Sequence, residues 1–280
     1  PPFLGMGSRF LVAFLIMLVL TGLLRGWSAL RVTRREFASA SFMGVALLGV
    51  GIGTVGLAQD YVPTGVMALI IASTPLTIVM WRVITRDRPS LLTLVGVFVG
   101  LAGIGWMLLP GGTRPVSGTD ADVVFWSLMI LISATIWATT SFFSARLPKP
   151  RDSFTLTTYE LLSGGVSLTV VGLLVGEQIE WDQISARSWG GWIFLVTAGS
   201  VLAFSSFTWL INNAPISLAS TYAYVNPLVA VLLGLVIFRE AITSDVIIGL
   251  TVVLGGVILV VTGESLRSRS TRPVPETKVT

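Results

Sequence analysis

Stretches of about 20 apolar residues recur along this chain without a polar face, and a helix of that length, rising 1.5 Å per residue, matches the roughly 30 Å hydrocarbon layer of a bilayer. A soluble core would instead alternate apolar stripes with polar faces at helical or strand spacing. The pattern predicts nine spans, near residues 3–24, 37–58, 62–81, 90–109, 123–145, 153–176, 188–211, 214–238 and 246–263. The expected fold is thus an all-α integral membrane bundle whose only intramembrane charges are Arg9 and Glu160. The first span, 22 residues long and without a preceding basic region, reads as a true span rather than a signal-peptide core.

Only 11% of the residues are charged, where soluble domains carry roughly a quarter. Cysteine and histidine are absent, which removes thiolate nucleophiles, disulfides, Ser-His triads and the commonest zinc, haem and di-iron ligands. No metal or other cofactor is expected. The net charge of +4 and pI near 10 come from residues in short inter-helix loops, where lipid and orientation account for them, so nucleic acid is not an expected partner.

Those basic residues orient the chain. Arg25, Arg31, Arg34, Arg35, Arg82, Arg86, Arg88, Arg146, Lys149, Arg151, Arg267, Arg269, Arg272 and Lys278 fall on one side of the nine-span arrangement, and Arg114, Arg187 and Arg239 on the other. Positive loops stay in the cytoplasm, which puts the C-terminus inside and Pro1 outside. Trp27, Trp81, Trp106, Trp126, Trp189, Trp192 and Trp209 lie near span ends, as in an interfacial aromatic belt. Trp137 is mid-span, where its indole N–H needs a partner.

The chain also repeats itself. Pro63 and Pro75 recur as Pro215 and Pro227; with a one-residue gap Asp87 corresponds to Glu240, and Gly96 and Gly103 to Gly249 and Gly256. Upstream, Pro2-Phe3 through Arg9 matches Ser153-Phe154 through Glu160. The basic loop holding Arg25, Arg31, Arg34 and Arg35 maps onto the acidic Glu177, Glu180, Asp182 and Arg187, so the two halves are expected to have inverted topology with an odd number of helices each. Five fits. Residues 1–110 form a first repeat of four spans and 123–263 a second of five, so symmetry predicts ten helices in the complete protein, the first lying upstream of Pro1. Residues 264–280 are expected to be a basic, disordered cytoplasmic tail.

The ordered series Pro-Pro-Phe with Arg9-Phe10, Trp137 followed by Arg146, Ser217-Leu-Ala-Ser-Thr221 leading to Asn226-Pro227, and Glu240 before Gly249 and Gly256 resembles the EamA family of the drug/metabolite transporter superfamily over the whole chain. Asp87-Arg88 stands where a Glu-Arg pair is expected. The resemblance implies ten helices in two inverted repeats, no ATP-binding domain, and a cavity lined by both halves. It also implies movement of small metabolites such as amino acids.

Several residues are candidates for that cavity. Arg9 and Glu160, equivalent in the repeat, read as a gating or proton-sensitive pair, or as a snorkelling arginine and a carboxylate bound to hydroxyls such as Thr157. Ser217, Ser220, Thr221 and Tyr224 fall at i, i+3, i+4 and i+7, which suits a wet helix face or a tightly packed one. Thr74-Pro75 and Asn226-Pro227 kink their helices and release a carbonyl one turn earlier, for substrate or for Ser and Thr hydroxyls. Trp137, Tyr222 and Tyr224 offer π faces to an amphipathic ligand. Glycine runs at 49–56 and 96–103 read as packing faces, and Asp60, Asp120 and Asp122 as solvated loop charges.

The expected function is a secondary transporter in the cytoplasmic (inner) membrane, moving a small metabolite by alternating access, with efflux the favoured direction. Its expected partners are that small molecule and the lipid bilayer. The alternatives are a membrane-embedded enzyme, for which one intramembrane carboxylate and no histidine is a poor set, and a channel-like or structural membrane protein.

Overall fold

Hydroxyl and carboxylate caps start four of the described helices. Thr33 and Glu36 close a capping box at the head of one, Thr119 and Asp122 at another, while Asp152 and Ser185 accept from Thr155 N and Ser188 N at 2.9 and 3.1 Å. Asp122, expected as a loop charge, is therefore a helix-starting residue. The structure, a computed structural model, describes residues 1–87, 89–108, 116–223, 225, 226, 229 and 244–270. Tyr224, Pro227, Arg88, Arg114, Arg239, Glu240 and residues 271–280 lie outside them.

The described helices are α1 (Pro2–Arg25), α2 (Arg34–Gly44), α3 (Gly53–Ala58), α4 (Thr64–Ala72), α5 (Thr74–Ile84), α6 (Leu91–Leu108), α7 (Asp120–Phe143), α8 (Ser153–Leu174), α9 (Ala186–Phe194), α10 (Phe204–Asn213), α11 (Ile216–Ala219) and α12 (Ser244–Ser270). π-helical turns at Val45–Ile52 join α2 to α3, and others at Leu195–Ala203 join α9 to α10. Among the described residues, seven helices are long and apolar enough to cross a membrane: Pro2–Arg25, Arg34–Ala58, Val66–Ile84, Asp120–Arg146, Ser153–Leu174, Ala186–Asn213 and Ile247–Leu266. Leu91–Trp106 is apolar but shorter, and about half of the span expected at 214–238 lies outside the described residues.

The Val66–Ile84 helix is interrupted at Ser73, two residues before Pro75, and Pro75 sits in the first turn of α5, where a missing N–H does no harm. Two expectations need correction. The expected hydroxyl face is not a straight helical one from Ser217 through Thr221, since α11 ends at Ala219 and Thr221 N donates to Leu218 O in a tighter turn. The last helix continues through Ser270, so the point at which the disordered tail is expected to begin, residue 264, falls inside α12.

The chain divides into two compact units. The first holds residues 1–71 and 113–214. Its core is Phe10, Met17, Met43, Leu47, Leu48, Leu156, Leu161, Leu168 and Phe204, and Leu23, Phe42, Leu174 and Leu202 form an exposed apolar perimeter suited to lipid. Within it α1 packs antiparallel on α8. Leu4 lies on Gly172, Gly7 on Gly165 and Thr169, and Thr21 shares a hydroxyl hydrogen bond of 3.2 Å with Thr158, so numbers rise on one helix as they fall on the other. Glu177, beyond the end of α8, accepts from Phe3 N at 3.1 Å and Leu4 N at 2.8 Å, satisfying two orphan donors of α1.

The second unit holds residues 72–112 and 215–280. Here α6 packs antiparallel on α12 through glycines. A Cβ at Gly96 would stand 2.7 Å from Gly256 O, and one at Gly103 would stand 2.8 Å from Gly249 O. Gly96 thus lies against Gly256 and Gly103 against Gly249, a close approach of the kind that small residues allow between membrane helices.

Candidate functional site

Glu160 is fully buried on α8, at the level where α2 crosses; a Cβ at Gly44 would stand 2.7 Å from Glu160 Cα, and only glycine admits that approach. One carboxylate oxygen, Oε2, accepts from Thr208 Oγ1 at 3.1 Å. The other, Oε1, has no partner. The hydroxyl that meets Glu160 is Thr208 on α10 rather than Thr157, which donates back to Ser153 O at 2.9 Å. A buried carboxylate oxygen without a donor is costly, and in a membrane-spanning helix it marks a place where a polar ligand or a proton is held.

Trp137 is in the same unit. Its ring packs against Phe207 at 5.2 Å, one residue before Thr208, and against Gly51 in the π-helical turns, while its Nε1 is buried without a partner. Arg9 Nε is likewise unpartnered, its guanidinium lying over the ring of Phe10 at 4.4 Å. No ion pair joins Arg9 to Glu160 among the described residues, so the intramembrane pair expected from the sequence is two separate groups of one unit. With Ser200 Oγ and Thr169 Oγ1, these are the buried unpartnered side-chain polar atoms among the described residues, and all five lie in this unit. A groove of about 600 Å³ on the unit is lined by Met17, Phe154, Val201, Ser205, Trp209 and neighbours, but Glu160 and Trp137 do not line it and its wall includes the exposed Leu202.

The remaining candidates belong to the second unit. Ser217 is buried and its hydroxyl accepts from Arg82 Nη1; Ser220 and Thr221 donate to Ser217 O and Leu218 O at 2.9 and 2.8 Å. Their hydroxyls are thus engaged locally. Thr74 is buried and has a partner, as has Ile71, whose carbonyl Pro75 leaves without a helical donor. Tyr222 is half-buried with a partner, and Asn226 is exposed.

Sequence reasoning missed a polar cluster in this second unit. Arg82 is buried, and its Nη1 meets Glu264 Oε1 at 2.7 Å while its Nε meets Asp87 Oδ2 at 3.0 Å. Thr93 Oγ1 donates to the same Glu264 oxygen at 2.9 Å. Four helices, α5, α6, α11 and α12, meet on this one guanidinium and carboxylate.

The profile of the EamA-like transporter family matches residues 124–262. The chain is 33% identical over 270 residues to YedA, an inner membrane transporter of Escherichia coli, covering 95% of this chain and 83% of YedA. The chain belongs to the EamA family of the drug/metabolite transporter superfamily. The chain is also similar to the transporter YyaM of Bacillus subtilis, 26% identical over 67% of this chain and 61% of YyaM, and to the protein PecM of Dickeya dadantii, 27% identical over 78% and 71%. A solved crystal structure matches this EamA chain with a TM-score of 0.76 at 22% identity, covering 95% of it and 89% of that chain, which shows a shared fold.

Proposed function

We propose that this EamA protein is a secondary transporter of the inner membrane that moves a small amphipathic metabolite, such as an amino acid, outward by alternating access. Glu160 is the proton-sensitive group of its first unit. The observation that carries the reading is the antiparallel packing of helices with their own repeat equivalents, α1 on α8 and α6 on α12. Equivalent helices of a parallel repeat would run the same way, so this packing supports two halves of opposite sense, the construction on which alternating access rests. Trp137, with its unpartnered Nε1, and Glu160, with its unpartnered Oε1, are a donor and an acceptor left open for substrate or proton. Arg9 serves as a gating cation in the same unit. In the second unit Ser217, Thr221, Tyr222, Asn226 and Thr74 belong to the substrate path, which α11 and the break before Pro75 shape. The C-terminus is cytoplasmic on the distribution of basic residues.

Purified protein in proteoliposomes tests this. Flux of one compound from a metabolite panel should saturate with concentration and respond to a pH gradient, and Glu160→Gln should abolish the pH response. Flux that rises linearly without saturation, or a Glu160→Gln protein with the normal pH profile, would remove the reading.

A further inference from the structure

Arg146, Lys149 and Arg151 all lie in the loop between α7 and α8, and the structure separates them. Arg146 and Arg151 are exposed, with Arg146 over the rings of Phe142 and Phe143 at 5.3 and 5.0 Å. Lys149 is half-buried and turned inward, held between Pro148 and Pro150, whose fixed φ stiffens the backbone on both sides. Its Nζ donates to Asn212 Oδ1. Asn212 Nδ2 donates to Thr208 O at 2.8 Å, and Thr208 Oγ1 donates to Glu160 Oε2 at 3.1 Å. Thr208 and Asn212 are i and i+4 on α10, so one helix face carries the connection from the loop to the intramembrane carboxylate.

We propose that Lys149 is a positioning residue for Glu160, acting through Asn212 and Thr208 and through its own positive charge, so that the α7–α8 loop sets the pH at which the carboxylate takes up its proton. The inference rests on the reading of Glu160 as the proton-sensitive group. The connection is not a proton wire, because Thr208 O is an amide carbonyl with no proton to pass on. It works instead by orientation and by field: Asn212 fixes the ammonium, and Thr208 aims its single hydroxyl proton at Oε2, leaving Oε1 open.

The electrostatics agree. Burial pulls the Lys149 ammonium below its ordinary range and the Glu160 carboxylate pushes it back up, so the two groups feel each other's charge. Other elements packed on α8 bring little competing charge. α10 and the Val45–Ile52 turns hold no ionisable residue; α1 offers Arg9, which stays over Phe10, and the exposed Arg25, 3.4 Å from Asp152; α2 offers Arg34 and Arg35, both exposed, and a half-buried Glu36 tied to Thr33. Tyr159, beside Glu160, donates its hydroxyl to Leu30 O at 2.6 Å.

A hydrophobic carbodiimide supplies a test that needs no substrate. It adds to protonated carboxylic acids in apolar surroundings, the acid proton moving to nitrogen as the carboxyl oxygen bonds the central carbon, and mass spectrometry locates the adduct. In the reconstituted full chain, labelling of Glu160 should fall as pH rises. Lys149→Met should move the midpoint of that fall upward by about one pH unit, the effect expected of losing one nearby cation. Asn212→Ala should move it the same way by less, and Lys149→Arg should restore it. If Lys149→Met and Asn212→Ala both keep the normal midpoint, the role given to Lys149 is wrong while Glu160 keeps its own. If Glu160 in the unmodified chain is labelled equally at every pH or at none, the proton reading of Glu160 falls, and this inference with it. A Lys149→Met protein that elutes aggregated leaves the decision to Asn212→Ala and Lys149→Arg.

Discussion

Arg82 Nη1 lies 2.7 Å from Glu264 Oε1, with both side chains almost wholly withdrawn from the surface. A buried pair loses more when one partner is removed than when both are, because the survivor is left as an uncompensated charge. Glu264→Leu leaves the Arg82 guanidinium with only the half-exposed Asp87 at 3.0 Å, and should therefore destabilise the protein by about 3 kcal/mol, the low end for a broken buried pair. Adding Arg82→Met to it should recover most of that loss. Thermal unfolding in detergent micelles measures both, and a double variant no more stable than Glu264→Leu would argue against a desolvated pair.

The α6–α12 crossing makes a sharper distinction between neighbouring glycines. A Cβ at Gly256 would stand 2.6 Å from Gly100 N and 2.8 Å from Gly96 O, whereas one at Gly255 meets nothing within 4 Å. Gly255→Ala should be neutral or stabilising by up to about 1 kcal/mol, the helix-propensity gain. Gly256→Ala should be destabilising, since backbone must move to admit it. Parallel melting curves decide, and equal effects at the two sites would mean the helices are not in van der Waals contact there.

Lys149 carries a pH prediction of its own. Burial lowers its affinity for a proton and the Glu160 carboxylate raises it, so Glu160→Gln, which removes the raising influence, should lower it further. Acylation of Lys149 by an amine-directed reagent, followed against pH, should have its midpoint at lower pH in Glu160→Gln than in the unmodified protein. An unmoved midpoint would mean that the two charges do not interact.

Trp137 separates packing from recognition. Trp137→Phe keeps a ring against Phe207 and discards an N–H that has no partner, so stability should change by less than about 1.5 kcal/mol. Trp137→Ala should lose about 3 kcal/mol. A raised KM in Trp137→Phe at normal stability is the expected sign of substrate contact, and unchanged kinetics would assign the indole to packing alone.

Opposite orientation of the repeats is open to direct labelling, because the chain has no cysteine of its own. Single cysteines at Arg31 and Asp182, in corresponding loops, should react with an impermeant maleimide from opposite sides of the membrane. Reaction from the same side would overturn inverted topology.

How much of this was legible in the sequence depended on scale. The glycine pairs 96/103 and 249/256 were visible as a repeat because close helix packing admits little else, and Glu160 stood out because a charge inside an apolar run is rare. Arg82 and Glu264 were lost by the narrowest margin, each lying one residue beyond an expected span end. Hydropathy cannot see that helices continue past the apolar run and fold those residues onto each other. Lys149 was hidden differently: counted with Arg146 and Arg151 as a topology signal, it differs from them only in the direction it turns, which the chain order does not encode. The open Nε1 of Trp137 ran against the expectation of a satisfied indole.

The wide turns at Val45–Ile52 and Leu195–Ala203 bond from i to i+5 rather than i to i+4, so each absorbs about one residue more than an ordinary helix of the same length. Deleting a residue elsewhere in such a helix swings everything downstream through roughly 100° and turns lipid-facing side chains inward. A deletion inside either wide segment relaxes it to ordinary pitch and keeps the downstream faces in place. These two segments are therefore where evolution or an engineer can trim or lengthen the helices without scrambling what they present to the interior.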